Sequence, residues 1–134
     1  MLHSYNYAYI RVVPRIEIGE FVNVGVILFC RTKRFLDARI TFQPERLALL
    51  APQLSQATIQ AHLDLIPQIC HGAGPIGQLE LAERFRWLVA PHDTIIQCGP
   101  AHTGLCDDPR ATLERLHAAL HLPAGRSDGE SVRP

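Results

Sequence analysis

Phe21-Val22-Asn23-Val24-Gly25-Val26-Ile27-Leu28-Phe29-Cys30 and, after the link Arg31-Thr32-Lys33-Arg34, Phe35-Leu36-Asp37-Ala38-Arg39-Ile40-Thr41-Phe42 decide the fold. The first run is apolar at nearly every position, as a strand covered on both faces would be, which places it at the centre of a sheet. The second alternates strictly, with Leu36, Ala38, Ile40 and Phe42 on one face and Phe35, Asp37, Arg39 and Thr41 on the other, a strand with one wet side. Upstream, Tyr5, Tyr7, Tyr9 and Arg11 alternate with Asn6, Ala8, Ile10 and Val12, and this aromatic and β-branched segment reads as a strand that Pro14 ends. The link between the second and third strands lacks the Asn-Gly or Asp-Gly of a two-residue hairpin. Directly paired residues share a face, so a three-residue loop pairs Cys30 with Leu36, Leu28 with Ala38 and Val26 with Ile40. A two- or four-residue loop sets Leu28 against Asp37, and the pattern therefore predicts an odd-numbered loop or a bulge.

From Pro44 the period becomes helical. Pro44 suits a first turn, Leu47 and Leu50 share a face, and Pro52 closes the segment. Ser55 can cap the next helix, whose Ile59, Leu63, Ile66 and Cys70 should face the sheet, with a kink or early end expected at Pro67. Gly72-Ala73-Gly74-Pro75-Ile76-Gly77 is a turn region. A third helix spans 79–89, with Leu81, Phe85 and Leu88 on one face. Thr94 to Cys98 returns to the sheet as a fourth strand, and a loop through Gly99, Pro100, His102 and Gly104 leads to a last helix. Asp108-Pro109 opens that helix, and Leu113, Leu116 and Leu120 form its buried stripe.

The expected architecture is therefore α+β, an antiparallel sheet of about four strands in the order β-β-β-α-α-α-β-α with helices packed on one face. One domain is expected over 1–122, followed by a disordered tail over 123–134, whose residues have nothing to bury.

Composition narrows the function classes. The 134 residues are 47% hydrophobic and 19% charged, with thirteen basic against thirteen acidic residues, an ordinary globular balance. Zero net charge argues against nucleic acid, whose non-specific binding needs clustered cations. No apolar run reaches the roughly eighteen residues of a membrane span. The start, Met1-Leu2-His3-Ser4-Tyr5, lacks the basic and apolar regions of a secretory signal, so a cytoplasmic location is expected. The four cysteines form no CxxC pair and are expected as reduced thiols. Lys33 is the only lysine, so the positive charge is mostly arginine, suited to planar pairing with carboxylate or phosphate.

Three polar groupings stand out. Arg11, Arg15, Glu17, Glu20 and Asn23 cluster at the end of the first strand and the start of the second, where Gly25 could leave room for a backbone or a small acidic group. An exposed sheet face carrying weak surface ion pairs explains the same residues. Glu83, Arg84, Arg86 and Trp87 resemble a binding-surface composition, although Trp87 could equally straddle core and rim. His102-Thr103-Gly104 could grip a phosphate or move a proton; a turn in which Gly104 supplies an unusual dihedral is the plainer alternative. Zinc on Cys98, His102 and Cys106 has the right ligand chemistry but lacks the paired-cysteine knuckle, and a fourth ligand such as His71 or His92 would have to come from elsewhere. No Gly-rich phosphate loop is present, and no cofactor is implied.

Several stretches resemble, in order and spacing, an uncharacterised bacterial family, the domain of unknown function DUF 3037. They include Tyr9-Ile10-Arg11-Val12-Val13-Pro14-Arg15, Glu20-Phe21-Val22-Asn23-Val24-Gly25-Val26-Ile27-Leu28, Arg34-Phe35-Leu36-Asp37-Ala38-Arg39, Glu83-Arg84-Phe85-Arg86-Trp87-Leu88 and His102-Thr103-Gly104-Leu105. The resemblance carries no established activity or catalytic residues. Members of that family often lie beside a gene for a HipA-like kinase, so the resemblance implies a regulatory or accessory subunit with that kinase as partner. The combined expectation is a non-enzymatic protein-binding or regulatory module, possible as a homo-oligomer. Its contacts would be Tyr5, Tyr7, Arg11 and Asn23, with Trp87 and His102 as outliers. The alternative is a small enzyme or nucleotide- or phosphate-binding protein using Arg11, Arg84, Arg86 and His102 at one pocket, and Thr103 beside His102 is a further ligand-binding candidate.

Overall fold

Alternating and apolar strand patterns become five antiparallel strands in the computed structural model, which describes residues 1–15, 19–91 and 95–120. They are β1 (His3–Arg15), β2 (Glu20–Cys30), β3 (Phe35–Ile40), β4 (Ile96–Cys98) and β5 (His102–Cys106). The sheet runs β3-β2-β1, and β4 and β5 lie one after the other along the far edge of β1. Four helices, α1 (Pro44–Leu50), α2 (Gln56–Cys70), α3 (Leu81–Val89) and α4 (Pro109–Ala119), complete an α+β architecture. The expected tail over 123–134, Glu17, the Arg15 side chain, His92 and Thr94 lie outside the described residues.

One strand more is present than the sequence pattern suggested. His102–Cys106, expected in a loop, pairs with His3 to Tyr7, and Ile96–Cys98 pairs with Ile10 to Val12. β1 is thirteen residues long, enough to carry both short strands on one edge with Gly99-Pro100-Ala101 between them. Gly104 has no left-handed dihedral; a Cβ there would meet the Tyr5 ring at 2.6 Å. The glycine exists so that the cross-strand aromatic can lie over it.

Helices cover both faces of the sheet, which corrects the one-faced arrangement. Ala8, Ile10, Val12, Ile27, Phe29, Leu36 and Ala38 pack beneath α1, α2 and α3 through Leu47, Ile59, Leu63, Cys70, Phe85 and Leu88. On the opposite face Tyr5, Tyr7, Val26, Leu28, Cys30 and Cys106 pack with Leu113 of α4. The unbroken apolar run of β2 is explained by this double cover, with Val24 to Cys30 all buried.

The wet side of β3 is where α4 docks. Asp37 accepts from Arg110 at 2.7 Å, Arg39 Nε donates to Glu114 at 2.7 Å, and Thr41 Oγ1 bonds His117 Nε2 at 2.8 Å. Arg110 also lies over the Phe35 ring, 4.8 Å from its centroid. Positions 110, 114 and 117 fall on one helix face, beside the Leu113 and Leu116 stripe.

The register between β2 and β3 is the one the sequence argument disfavoured. Arg31 to Arg34 form a four-residue loop, Cys30 pairs with Phe35 and Leu28 with Asp37. Asp37 does not need water, because Arg110 of α4 and His71 at the end of α2 pair with it, so an apolar residue and a paired carboxylate share one covered face. Arg34 closes the loop with φ 51° and donates its N–H to the Arg31 carbonyl at 3.0 Å.

A bulge bends β2: Arg11 faces Asn23 and Ile10 faces Gly25, leaving Val24 over. Gly25 does not open a ligand space; a Cβ there would stand 2.5 Å from the Arg39 carbonyl oxygen. The end signals act as read. Ser55 accepts from the Thr58 N–H, Asp108 accepts from the Ala111 N–H, and Pro44 and Pro109 occupy first turns. α2 continues through Pro67 to Cys70 instead of ending early.

Candidate functional site

The residues expected to form a contact surface divide between core and rim. Tyr5 and Tyr7 are buried on the α4 side of the sheet and present almost no surface to a partner. Tyr7 meets Tyr9 edge-on at 5.8 Å and the His102 ring at 5.3 Å, and burial raises the phenol pKa of both Tyr7 and Tyr9. Arg11 lies 3.9 Å over the Phe21 ring and against Gly99, where a Cβ would collide with its guanidinium. Asn23, across from Arg11, is exposed.

Arg84 serves the fold: it donates to the Leu79 carbonyl at 2.7 Å and to that of Cys70, the last residue of α2, at 3.1 Å. Trp87 stands on the outer side of α3, 43% exposed. His102 and Thr103 point to opposite faces of β5. His102 joins Tyr7 on the α4 side, whereas Thr103 Oγ1 accepts from Asn6 Nδ2 at 3.1 Å. The pocket of Arg11, Arg84, Arg86 and His102 is therefore not assembled, because α3 packs on the face away from His102.

Cys98, His102 and Cys106 do not converge either. Cys98 sits opposite Ile10 and Cys106 opposite His3, seven residues apart along β1, or roughly 24 Å. Cys98 packs on the first core and donates its thiol to the Leu88 carbonyl at 3.5 Å, while Cys106 packs on the second. His71 is engaged with Asp37 at 2.9 Å. Burial pushes the Cys70 thiol up to about 12 and that of Cys98 up to about 11, so neither is a nucleophile at neutral pH.

A different set of residues does converge. The end of the sheet beyond α3 is open, and two adjoining clefts of about 440 and 350 Å³ meet there over Phe29, Arg31, Ala82 and Arg86. The inner cleft is walled by Ser4 and Asn6 of β1, Arg31 and Thr32 after β2, and Arg86 of α3. Its floor is the stacked pair Phe29 and Phe85, 5.5 Å between centroids. The outer cleft adds Arg34, Glu80 and Glu83. Among the described residues, Arg31, Arg34 and Arg86 pair with no carboxylate, although all three are exposed and permanently charged. Thr32 is held by His3 Nδ1 at 2.9 Å, and Asn6 by Thr103. Of the residues singled out from sequence, Glu83 and Arg86 line the clefts and Thr103 reaches them through Asn6. Ser4, Asn6, Arg31, Thr32 and Arg34 were missed, because they come from two segments distant from Arg86 in sequence and follow no motif.

These elements define a two-sided α+β domain with one arginine-lined cleft at the open end of its sheet. The family model described as Protein of unknown function (DUF3037) matches residues 7–120, and the chain belongs to that family. No curated protein and no solved structure matches it.

Proposed function

We propose that the chain is a non-enzymatic binding module whose arginine cleft receives an acidic group presented by a partner protein. The observation that carries this reading is the convergence of Arg31, Arg34 and Arg86 on one opening without a carboxylate partner among the described residues. Arginines kept unpaired at a cleft, with fixed hydroxyl and amide groups beside them, suit bidentate recognition of carboxylate or phosphate. With Tyr5 and Tyr7 buried, the strand surface offers only Arg11 and Asn23 of its expected contact residues, whereas the cleft offers three arginines. No chemistry on a substrate is invoked: His102 is apart from the arginines, and the thiols of Cys70 and Cys98 stay protonated.

A HipA-like kinase, the partner implied by the family resemblance, is the first to test. Coexpressed with a tagged HipA-like kinase, the chain is expected to coelute with it, and the combined Arg31→Ala, Arg34→Ala, Arg86→Ala variant is expected to lose that association while keeping its melting temperature. Coelution unchanged by the triple substitution would move the interface elsewhere.

A further inference from the structure

The two halves of the cleft differ in charge, and the difference selects a ligand. The outer half sets Glu80 and Glu83 among Arg31, Arg34 and Arg86, so much of its positive charge is offset. The lining of the inner half contains no carboxylate: Arg31 and Arg86 both border it, with Ser4, Asn6 and Thr32 as further hydrogen-bonding groups. These groups stand on three separate elements, the start of β1, the β2–β3 loop and α3, and so approach a central group from several directions. A planar carboxylate is satisfied by one guanidinium fork, whereas a tetrahedral phosphoryl group offers three terminal oxygens and close to two charges at neutral pH. The Phe29 and Phe85 floor beneath gives room for the ester side of the group against apolar surface.

We infer that the inner cleft is a seat for a phosphate monoester dianion, held between Arg31 and Arg86. This rests on the reading of the cleft as an acid-binding site and narrows its ligand to one chemistry. A phosphorylated side chain and a mononucleotide share that chemistry, as does free phosphate in weaker form.

The test is a titration of the full chain, followed by nuclear magnetic resonance of backbone and arginine side-chain signals, with phenyl phosphate and with glutarate as a dicarboxylate of equal charge. Phenyl phosphate is expected to shift Arg31, Thr32 and Arg86 and to bind at least tenfold more tightly than glutarate. Its affinity should fall as pH drops from 7.5 to 5, because the second phosphate ionisation lies near 6. Arg31→Gln with Arg86→Gln should weaken it at least tenfold, and Arg31→Lys with Arg86→Lys, which keeps the charge, should recover part of the loss. Further arms with a phosphoserine peptide, adenosine monophosphate and inorganic phosphate identify the carrier by which binds most tightly. Equal binding of glutarate would overturn the phosphate assignment and leave the acid-binding reading standing. Phosphate binding unaffected by the Gln pair would overturn the site itself, and absence of binding by either anion would remove both readings of the cleft.

Discussion

Asp37 of β3, 6% exposed, receives the guanidinium of Arg110 from α4 at 2.7 Å and the imidazole of His71 from the end of α2 at 2.9 Å. One carboxylate thus ties together helices that lie on opposite faces of the sheet. Its Oδ1 also accepts the Ala38 N–H at 2.8 Å.

Removing that carboxylate should loosen α4 in particular. Asp37→Ala is expected to lower stability by about 1–3 kcal/mol. That is below the figure for a fully buried pair, because the Arg110 and His71 side chains are 48% and 62% exposed and their attraction is screened. Arg110→Ala should cost less, since His71 and the Ala38 amide remain. Urea denaturation of both variants checks the order, and amide exchange in α4 should rise more than in α2.

The two close-approach glycines separate by what they would strike. At Gly25 an added Cβ meets the backbone carbonyl of Arg39 at 2.5 Å, which cannot move without parting β2 from β3. At Gly104 it meets the far end of the Tyr5 ring at 2.6 Å, and a ring can swing aside. Gly25→Ala is expected to cost more than about 3 kcal/mol and Gly104→Ala about 1–2 kcal/mol, read as shifts in denaturation midpoint.

How far the sequence was legible follows from what each segment touches. β2 reads correctly as central because its cover is recorded in its own apolar run. β3 reads as half wet because the signal for its second cover lies some seventy residues away, in Arg110, Glu114 and His117. Those residues present a polar stripe to a polar stripe, a match that hydrophobic periodicity cannot register. β5 is hidden for a related reason: His102-Thr103-Gly104 lacks an apolar alternation, and the volume on its inner side is filled by Tyr5 from the neighbouring strand. The cleft was illegible altogether, since Asn6, Arg31 and Arg86 are brought together only by tertiary packing.

Alkaline pH should destabilise the protein through its buried thiols. In the unfolded chain a cysteine ionises near 9, whereas Cys98 and Cys70 in the fold hold their protons until about 11 and 12. Between those values the folded state binds more protons than the unfolded one, so stability is full below pH 9 and declines above it. Each thiol contributes a decline of up to about 1.4 kcal/mol per pH unit. Tyr7 and Tyr9 add to the fall above pH 10, their phenols being raised mainly by burial. Denaturation at pH 8, 9 and 10 should show the decline, and Cys70→Ser with Cys98→Ser should flatten it.

Glu80 and Glu83 should act as a brake on the cleft. Neutralising both, as Glu80→Gln with Glu83→Gln, removes repulsion at the rim and is expected to raise phenyl phosphate affinity two- to fivefold at low salt. The gain should shrink at 0.5 M salt, where the Debye length falls to a few ångströms. An unchanged affinity at low salt would mean that the two carboxylates stand too far from the ligand to be felt.

Arg34 separates binding from stability. Its φ of 51° places a side chain in the left-handed region, at a cost of about 1–2 kcal/mol that glycine would avoid, less about 0.5–1 kcal/mol for glycine's greater freedom when unfolded. Arg34→Gly should therefore stabilise the fold by up to about 1 kcal/mol in urea denaturation. Because Arg34 lines the outer half alone, while Arg31 and Arg86 border the inner half as well, the same variant should lose less than threefold in phenyl phosphate affinity. A loss as large as that of Arg31→Gln would place the ligand in the outer half, between the loop and the start of α3.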